Sequence, residues 1–237
     1  MTKYREQDQP VTVVMAVHNG APFIAEAIKS LSQVSGLKEI ILVDDACTDQ
    51  SPTIAMATAK ECKVALRCFR AKSNQPIGPS AARNLGASKV CTPLIWFFDA
   101  DDICEIQGPD PRLNLIGISG DVIVGSMRYL EHGSHPPKYS QPTHCPSTNL
   151  LYLTTEAFRS VGGFNEDLRF GEDVDLLVRL VESGYEVTSI DVLVFSYRQH
   201  QDSLTNSIPS AKSQGMLAAV RARLSRINTG ISETGAP

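Results

Sequence analysis

Apolar and polar positions form two alternating patterns along the first half of the chain. Short runs of consecutive apolar, often β-branched residues are typical of strands buried on both faces of a parallel sheet. Between these runs, apolar residues recur three or four positions apart, which predicts amphipathic helices. The predicted strands are residues 11–17, 40–43, 64–69 and 94–98, and the predicted helices run from about 20 to 31, from 51 to 61 and from 79 to 87.

Each of these helices begins with a recognisable signal. Asn19 is expected to cap the first helix, with Pro22 in its first turn. Ser51 and Pro52 repeat this order before the second helix, and Gly78 precedes Pro79 at the start of the third. The alternation of strands and helices predicts an α/β fold with a doubly wound, mostly parallel sheet flanked by helices.

The second half of the chain is less regular. Its pattern predicts strands at 121–130 and 192–197 and helices at 154–161, 172–183 and 211–227. The stretch 132–146 is rich in Pro, Ser and His and is expected to form a loop. The last ten residues are expected to fray.

Composition and charge narrow the class of protein. The chain has 237 residues, 42% of them hydrophobic and 20% charged, with a net charge of -4, which is ordinary for a globular protein and does not favour nucleic acid as a partner. No apolar run approaches the roughly 18 residues of a membrane-spanning helix. The six cysteines lack Cys-x-x-Cys spacing and fit free thiols. The polar start, Met1 to Pro10, is unlike a signal peptide, so we expect a cytoplasmic protein, with peripheral contact at the inner face of the membrane left open.

Three carboxylates stand close together directly after the aromatic strand 94–98. Asp99, Asp101 and Asp102 surround Ala100, and such a cluster is unfavourable unless a cation or hydrogen-bond donors relieve the repulsion. A divalent ion held by one or two carboxylates and by substrate phosphates is one form of relief. A solvated acidic turn is the alternative. The position of the cluster after a parallel strand favours a ligand site, because ligands bind beyond the carboxyl ends of such strands.

A second acidic pair, Asp44 and Asp45, closes the strand 40–43. We expect Asp45 to contact a ligand, through a base imide or a ribose hydroxyl. Asp49, in the following turn, is expected to bind only local backbone N–H groups.

Further along the chain, Arg83 can reach a phosphate from its helix, and a surface ion pair is the alternative. Asn84 is unfavourable inside a helix, which indicates a specific hydrogen bond. Asp173 either stabilises the N-terminus of a helix by its negative charge or serves as a general base. His200 offers an imidazole to a metal ion but, as a single loop histidine, is a weak signal.

Taken in order, these segments resemble the family 2 glycosyltransferases of the GT-A fold. The resemblance runs from about Val11 to Ser207, and any one of its motifs alone would be ordinary. The matching motifs are residues 13–20, 43–49, 82–86, 98–102, 161–166, 172–176 and 197–200.

The resemblance implies a nucleotide-sugar donor, Mn²⁺ or Mg²⁺, and a single inverting displacement. It implies that Asp99 faces the ribose or a metal-bound water, that Asp101 and His200 ligate the metal, and that Asp173 is the catalytic base. Asp102 is interpreted as structural. The implied donor-binding residues are Ala16, Val17, His18, Asn19, Asp45, Arg83, Asp99 and Ala100.

The resemblance also implies one catalytic domain over residues 1–207, with a nucleotide-binding half (1–103) and a smaller acceptor-binding half (104–207), followed by a C-terminal helix and tail (208–237).

The chain departs from the family pattern at several positions. Ala16 stands where the family usually has proline, Ala46 and Cys47 where it has Gly-Ser, and Val174 where an aromatic residue is frequent. There is no Gln-x-x-Arg-Trp motif, which favours transfer of one sugar over processive synthesis. The resemblance implies a UDP-sugar as the donor.

Two other functions remain open. A sugar-nucleotide nucleotidyltransferase would carry basic residues in the loop after the first strand, and residues 18–22 contain no Lys or Arg. A non-catalytic nucleotide-sugar-binding module would keep the metal aspartates without needing Asp173. The acceptor, whether a glycan, a lipid-linked sugar or a small molecule, is not indicated by the sequence.

Overall fold

The strands and helices of the protein are given by a computed structural model that describes residues 10–116, 120–131, 133–134, 136–144, 147–200, 219–221 and 223. The elements are β1 (Val11–Val17), α1 (Ile24–Leu31), β2 (Val34–Ser35), β3 (Leu37–Asp44), α2 (Ser51–Glu61), β4 (Leu66–Arg70), α3 (Pro79–Ala87), β5 (Leu94–Phe97), β6 (Ile103–Cys104), β7 (Gly108–Pro109), β8 (Val122–Glu131), β9 (Lys138–Tyr139), β10 (Leu151–Thr154), α4 (Thr155–Ser160), α5 (Glu172–Glu182) and β11 (Val187–Gln199).

One sheet runs through both halves of the described chain. Its order is β4-β3-β1-β5-β10-β8-β11-β6, with β9 added beside β8. The strands β4, β3, β1 and β5 are parallel, as are β8 and β11, whereas β10 is antiparallel to both of its neighbours. The predicted mostly parallel α/β sheet is therefore confirmed, and β10 joins its two parallel parts.

Helices cover both faces of this sheet. Along β5, Trp96 points to a cluster that includes α1 and α2, while Phe97 points to a cluster that includes α3, α4 and α5. This alternation follows from the two-residue period of a strand. A Cβ on Gly86 of α3 would lie 2.5 Å from Cγ1 of Val14, so glycine allows α3 to pack directly against β1.

A buried ion pair lies in the core beside β5. Arg112 and Asp110 are both excluded from solvent, and Nη2 of Arg112 lies 2.8 Å from Oδ2 of Asp110. The guanidinium is stacked between Trp96 and Tyr152, with its Cζ atom 4.1 and 4.4 Å from the two ring centroids. The pair thereby anchors the segment after β7 to the sheet.

Two predicted helix caps are wrong. The N-cap of α1 is Phe23, without a side-chain hydrogen bond, and Asn19 instead binds the loop after β3. The N-cap of α2 is Gln50, and Ser51 is the first helical residue, with its N–H donated to Asp49. The side chain of Asn19 accepts a hydrogen bond from Thr48 on the neighbouring loop, and the hydroxyl of Ser51 donates to Asp49 in its own turn.

The second half departs from its predicted pattern in extent. The final strand, β11, has 13 residues and is longer than predicted, and the region 132–146 contains the short strand β9. Of the predicted helix 211–227, only residues 219–221 and 223 are described, and these are helical. Among the described residues, no helix is both long and apolar enough to cross a membrane.

Candidate functional site

The carboxyl ends of three parallel strands meet at one edge of the sheet. Val17 at the end of β1 is in register with Asp44 at the end of β3, and Val14 is in register with Phe97 at the end of β5. The loops that follow these strands therefore lie side by side. This is the edge at which doubly wound sheets bind their ligands.

The loops after β1 and β3 are tied together by polar contacts. Nδ1 of His18 lies 2.7 Å from the carbonyl oxygen of Asp45, and Oδ1 of Asn19 accepts the N–H of Thr48 at 2.8 Å. His18 and Asn19 remain exposed, while Ala16 is half-buried and Val17 is buried. The predicted donor-binding stretch therefore presents two polar side chains at the strand edge.

Ala46 adopts a left-handed backbone conformation, which glycine would adopt more easily, in the loop after β3. Ala46 has φ +56° and Asn19 has φ +55°, so two non-glycine residues are left-handed in these facing loops. Such a conformation costs an alanine about 1–2 kcal/mol. Cys47 stands in place of the usual serine and hydrogen-bonds both the N–H of Asn19 and the carbonyl of Val17. Burial raises the pKa of the Cys47 thiol to about 11, so the thiol is neutral here.

Asp45 holds the loop that leads into α3. Its carboxylate oxygens accept the N–H of Ile77 at 2.7 Å and the N–H of Gly78 at 3.0 Å, and the residue is buried. Contact between Asp45 and a ligand stays a prediction, and the structure adds this anchoring role. Asp49 accepts the N–H of Ser51 in its own turn, as expected, but it also accepts the hydroxyl of Ser51 and the N–H of Ala21 in the loop after β1. Its contacts are therefore not limited to local backbone groups.

The aspartate cluster after β5 divides into three environments. Asp99 is partly exposed and faces α3. Asp101 is partly exposed, and its Oδ2 lies 3.0 Å from Nε2 of His200. Asp102 is buried and accepts the amide of Asn149 at 2.6 Å and the N–H of Arg198 at 2.9 Å. Ala100, between them, is buried.

Burial raises the pKa of Asp102 well above its usual range, and the neighbouring charges of Asp101 and Asp99 raise it further. A carboxyl in this position favours its neutral form. Its burial and its hydrogen bonds with Asn149 and Arg198 fit a structural role for Asp102.

His200 is carried to the cluster by the end of β11. The Nε atom of Arg198 donates to the carbonyl of Asp101 at 2.9 Å, and its Nη2 lies 2.6 Å from Oε2 of Glu26 on α1. The imidazole of His200 packs on Phe23, with ring centroids 4.4 Å apart. These contacts fix the last residues of the strand against α1 and the cluster.

Arg83 is buried and makes two ion pairs, so the alternative of an ion pair holds, but in the interior instead of at the surface. Contact between Arg83 and a phosphate stays a prediction. Nη2 lies 2.7 Å from Oδ1 of Asp99, and Nη1 lies 3.0 Å from Oε1 of Glu172. Burial alone would lower the pKa of the guanidinium, but the carboxylates of Asp99 and Glu172 raise it above its usual value. Arg83 therefore stays charged and connects the cluster to α5.

Asp173 lies in the first turn of α5 and is partly buried. The helix begins after Gly171, which has φ +79° and contributes no side-chain cap. Burial raises the pKa of Asp173 to about 6, and the charge of Glu172 contributes to this rise, while the N–H of Val174 and the charge of Arg83 oppose it. A carboxyl with this pKa is poised to accept a proton near neutral pH.

The donor atoms at the cluster fit a shared metal site rather than a complete protein site. No group of three or more His, Cys, Asp or Glu side chains in the described ranges could hold a metal ion by itself. Asp101 and His200 supply one carboxylate and one imidazole. Mg²⁺ is commonly held by one or two protein carboxylates, with substrate phosphates and water completing its shell.

Two polar residues of the site were not predicted to act there. The side chain of buried Asn149 accepts the N–H of Asp99 at 3.1 Å and donates to Asp102, so it holds the two ends of the cluster. Arg198 binds residues 101 and 102 and Glu26. Arg198 lies next to His200 in a matched motif, but Asn149 carries no local signal, because its partners are about 50 positions away.

Comparison with known proteins agrees with this geometry. A model described as glycosyl transferase family 2 matches residues 12–164, and one described as the N-terminal domain of galactosyltransferase matches residues 130–202. The pre-mycofactocin glycosyltransferase of Mycobacterium tuberculosis is 30% identical over 200 residues, which cover 73% of this chain and 39% of that protein. The chain thus spans about two fifths of the length of this relative.

Solved structures share the fold. TarS of S. aureus, in complex with UDP-GlcNAc, has a TM-score of 0.66 at 16% identity over 84% of this chain and 61% of that one. The mannosyltransferase PcManGT of Pyrobaculum calidifontis, in complex with GDP-Man and Mn²⁺, has a TM-score of 0.63 at 18% identity over 83% of this chain and 59% of that one. These likenesses confirm the GT-A type of α/β fold expected from the sequence.

Proposed function

This chain belongs to glycosyl transferase family 2, and we therefore propose that it transfers a single sugar from a nucleotide-diphosphate sugar to an acceptor hydroxyl, with inversion. The product would be part of a glycan or polysaccharide. A UDP-sugar is the first donor to test, because TarS was solved with UDP-GlcNAc, and a GDP-sugar is the second, because the mannosyltransferase holds GDP-Man.

The donor is assigned to the edge formed by the first 103 residues. Ala16, Val17, His18 and Asn19 would line the nucleoside, and Asp45 would help by fixing the loop 77–78 around it as well as by direct contact. Asp99 and Ala100 would lie on the ribose side. Arg83 would contribute to donor binding through its ion pair with Asp99.

Asp101 and His200 would hold Mn²⁺ or Mg²⁺ together with the diphosphate of the donor. Oδ2 of Asp101 and Nε2 of His200 are 3.0 Å apart, with Asp101 in the loop after β5 and His200 directly after β11. When bound, the ion would neutralise charge on the departing nucleoside diphosphate. The Mn²⁺ in the mannosyltransferase complex supports the use of a divalent ion, and the proximity of Asp101 and His200 is the reason for proposing these two ligands.

Asp173 would act as the general base. Its carboxylate would take the proton of the acceptor hydroxyl while that oxygen bonds to the anomeric carbon. The bond between the anomeric carbon and the diphosphate breaks, and the nucleoside diphosphate leaves. The pKa of about 6 leaves Asp173 mostly deprotonated at neutral pH and still basic enough to accept the proton. Residues 104–207 would bind the acceptor.

The observation that carries this proposal is the ion-pair bridge from Asp99 through Arg83 to Glu172. It places the N-terminus of α5, and with it Asp173, beside the strand edge that carries the aspartate cluster. A donor bound at the cluster would therefore have its reacting end near the proposed base. A binding module would have no need for this arrangement.

A panel of UDP- and GDP-sugars, each tested with Mn²⁺, Mg²⁺ or chelator, would identify the donor by a rise in thermal stability, because a ligand that binds the folded state raises its apparent stability. The stabilising donor is then incubated with simple glycans and lipid-linked sugars, and the release of nucleoside diphosphate is measured. Stabilisation by no donor on the panel would refute the proposed donor class.

A further inference from the structure

We propose that Arg83 is a positioning residue for the transfer reaction, holding Asp99 and Glu172 together and so setting the location and charge surroundings of Asp173. This inference rests on the proposed function, because it assigns Asp173 the role of base. From the sequence, Arg83 is expected to contact a phosphate or to form a surface ion pair, and a positioning role differs from both.

Both terminal nitrogens of Arg83 are held by carboxylates. One terminal nitrogen binds Asp99 at 2.7 Å and the other binds Glu172 at 3.0 Å, and the side chain is only 8% exposed. The Cζ atom also lies 5.7 Å from the ring centroid of Phe164. A planar guanidinium can bridge two carboxylates in this way, whereas the single ammonium of lysine is a compact charge without that fork.

The bridge joins parts of the chain that are distant in sequence. Asp99 lies 16 positions from Arg83, and Glu172 lies 89 positions from it. Asp99 follows β5 in the donor region, and Glu172 begins α5 and directly precedes Asp173. The position of the proposed base relative to the donor therefore depends on this arginine.

The charges around Asp173 give the bridge a second effect. Glu172 on the same helix and Arg83 on α3 act on Asp173 in opposite directions, and Asp99 after β5 reaches the group through Arg83. Without Arg83, Asp99 and Glu172 would lose the cation that pairs with both of them, and Asp173 would lose the positive charge that favours its ionised form. Removing Arg83 is then expected to make Asp173 harder to ionise, and removing Glu172 is expected to make it easier.

The test compares Arg83→Gln, Glu172→Gln and their combination in the full-length chain. In the pH dependence of kcat/KM, we expect the midpoint of the acidic limb to rise by roughly one pH unit in Arg83→Gln and to fall in Glu172→Gln. The combined variant should return toward the wild-type midpoint. Arg83→Lys keeps the charge, so its midpoint should stay near that of the wild type while kcat falls because the two-sided bridge is lost.

The matched control is Arg179→Gln. Arg179 lies on α5, the helix of Asp173, and like Arg83 it pairs with a carboxylate, with its Nε 2.7 Å from Oδ2 of Asp175. Its Nη1 also binds the carbonyl of Val161. Its loss should lower thermal stability and leave the pH midpoint in place. Equal movement of the midpoint in this variant would show that general loosening of α5, rather than the Arg83 bridge, sets the behaviour of Asp173.

A second readout does not require transfer activity. Carboxyl ¹³C NMR titration of the donor-free protein, with the Asp173 signal assigned by its loss in Asp173→Asn, should show the same opposite movements in the same variants. If no sugar is transferred but these movements occur, the proposed function fails and the Arg83 bridge stands. The proposal is overturned if Arg83→Gln and Glu172→Gln move the signal in the same direction or leave it unchanged. If Arg83→Gln does not fold, an unchanged kcat in Arg83→Lys or an unmoved signal in Glu172→Gln overturns it equally.

Discussion

Nε2 of His200 lies 3.0 Å from Oδ2 of Asp101, although the two residues are 99 positions apart. The return of β11 creates this proximity, because the N–H of Arg198 binds Asp102 at 2.9 Å and its Nε binds the carbonyl of Asp101. One carboxylate and one imidazole are thus held together before any ligand arrives. This pair is the protein's share of the proposed metal site.

Replacing either member of the pair should weaken metal-dependent donor binding. For Asp101→Asn and His200→Ala, we expect at least the roughly tenfold loss in metal affinity that removal of an outer-shell partner causes. Calorimetry of UDP in the presence of increasing Mn²⁺ measures this. In the wild-type protein, chelator should abolish the Mn²⁺-dependent part of the affinity.

Asp191→Asn is the control for this experiment, because Asp191 is an exposed carboxylate on β11, the strand that His200 directly follows, and has no place in the proposed site. It should bind donor as the wild type does. Full UDP affinity with chelator present would show that the site binds the nucleotide without a divalent ion.

Asp173→Asn separates an enzyme from a binding module. The variant should retain donor affinity and lose transfer by about 10²–10⁴-fold, the usual contribution of a general base. In the wild-type protein, kcat/KM should fall as the pH drops through about 6, since protonation removes the base. Transfer at the wild-type rate in the Asn variant would exclude Asp173 as the base.

The central strands of the first half are readable from sequence because each contains a buried run of mostly apolar residues. In β1, every residue except Ala16 is buried, so the run itself predicts the strand. In β11, by contrast, burial is concentrated at Val194 to Ser196, while Val187 and Asp191 are exposed. An exposed strand of mixed composition lacks the apolar run, which is why its length was underestimated.

In the site, too, some features can be predicted from sequence and others cannot. Single residues could be nominated from their type and position, and Asn84 was expected to make a specific hydrogen bond, which is confirmed. Their partners could not be nominated, because pairing depends on how strands and helices pack. Nothing near Arg83 in the sequence indicates Glu172, and nothing near Asp99 indicates Asn149.

Asn84→Ala should destabilise the protein through the turn at 163–166. The Asn84 side chain accepts the N–H of Phe164 at 2.9 Å and donates to the carbonyl of Phe164 at 2.8 Å and to Glu166 at 2.9 Å. Its loss leaves backbone groups of the turn without these partners, for an expected cost of about 1–3 kcal/mol. Thermal unfolding measures the effect, and Ser88→Ala, at an exposed position after the same helix, is the control with an expected change within about 0.5 kcal/mol. Equal melting temperatures for Asn84→Ala and the wild type would contradict this account of the turn.

Asp173 should also make the stability of the protein depend on pH. The folded-state pKa of about 6 lies above the ordinary value of 3.8, so folding favours the protonated carboxyl. The resulting stability is fully present below pH 3.8 and is lost as the pH rises through about 6. Because the side chain is partly exposed, we expect the ionised group to cost about 1–2 kcal/mol, less than its full pKa shift would give.

Asp173→Asn should therefore be more stable than the wild type at pH 8, with the difference vanishing near pH 4. For a chain of this size, about 1–2 kcal/mol corresponds to a rise in Tm of roughly 2–8 °C. Asp49→Asn is a control of opposite sign. The slight desolvation of exposed Asp49 would raise its pKa, but hydrogen bonds from Ser51 and Ala21 lower it. Its carboxylate contributes stability above pH 3.8 that is lost on acidification, so Asp49→Asn should melt below the wild type at pH 8. If Asp173→Asn melts below the wild type at pH 8, the hydrogen bond from the N–H of Val174 to the carboxylate outweighs the cost of burying its charge, and Asp173 is held in place as a structural residue.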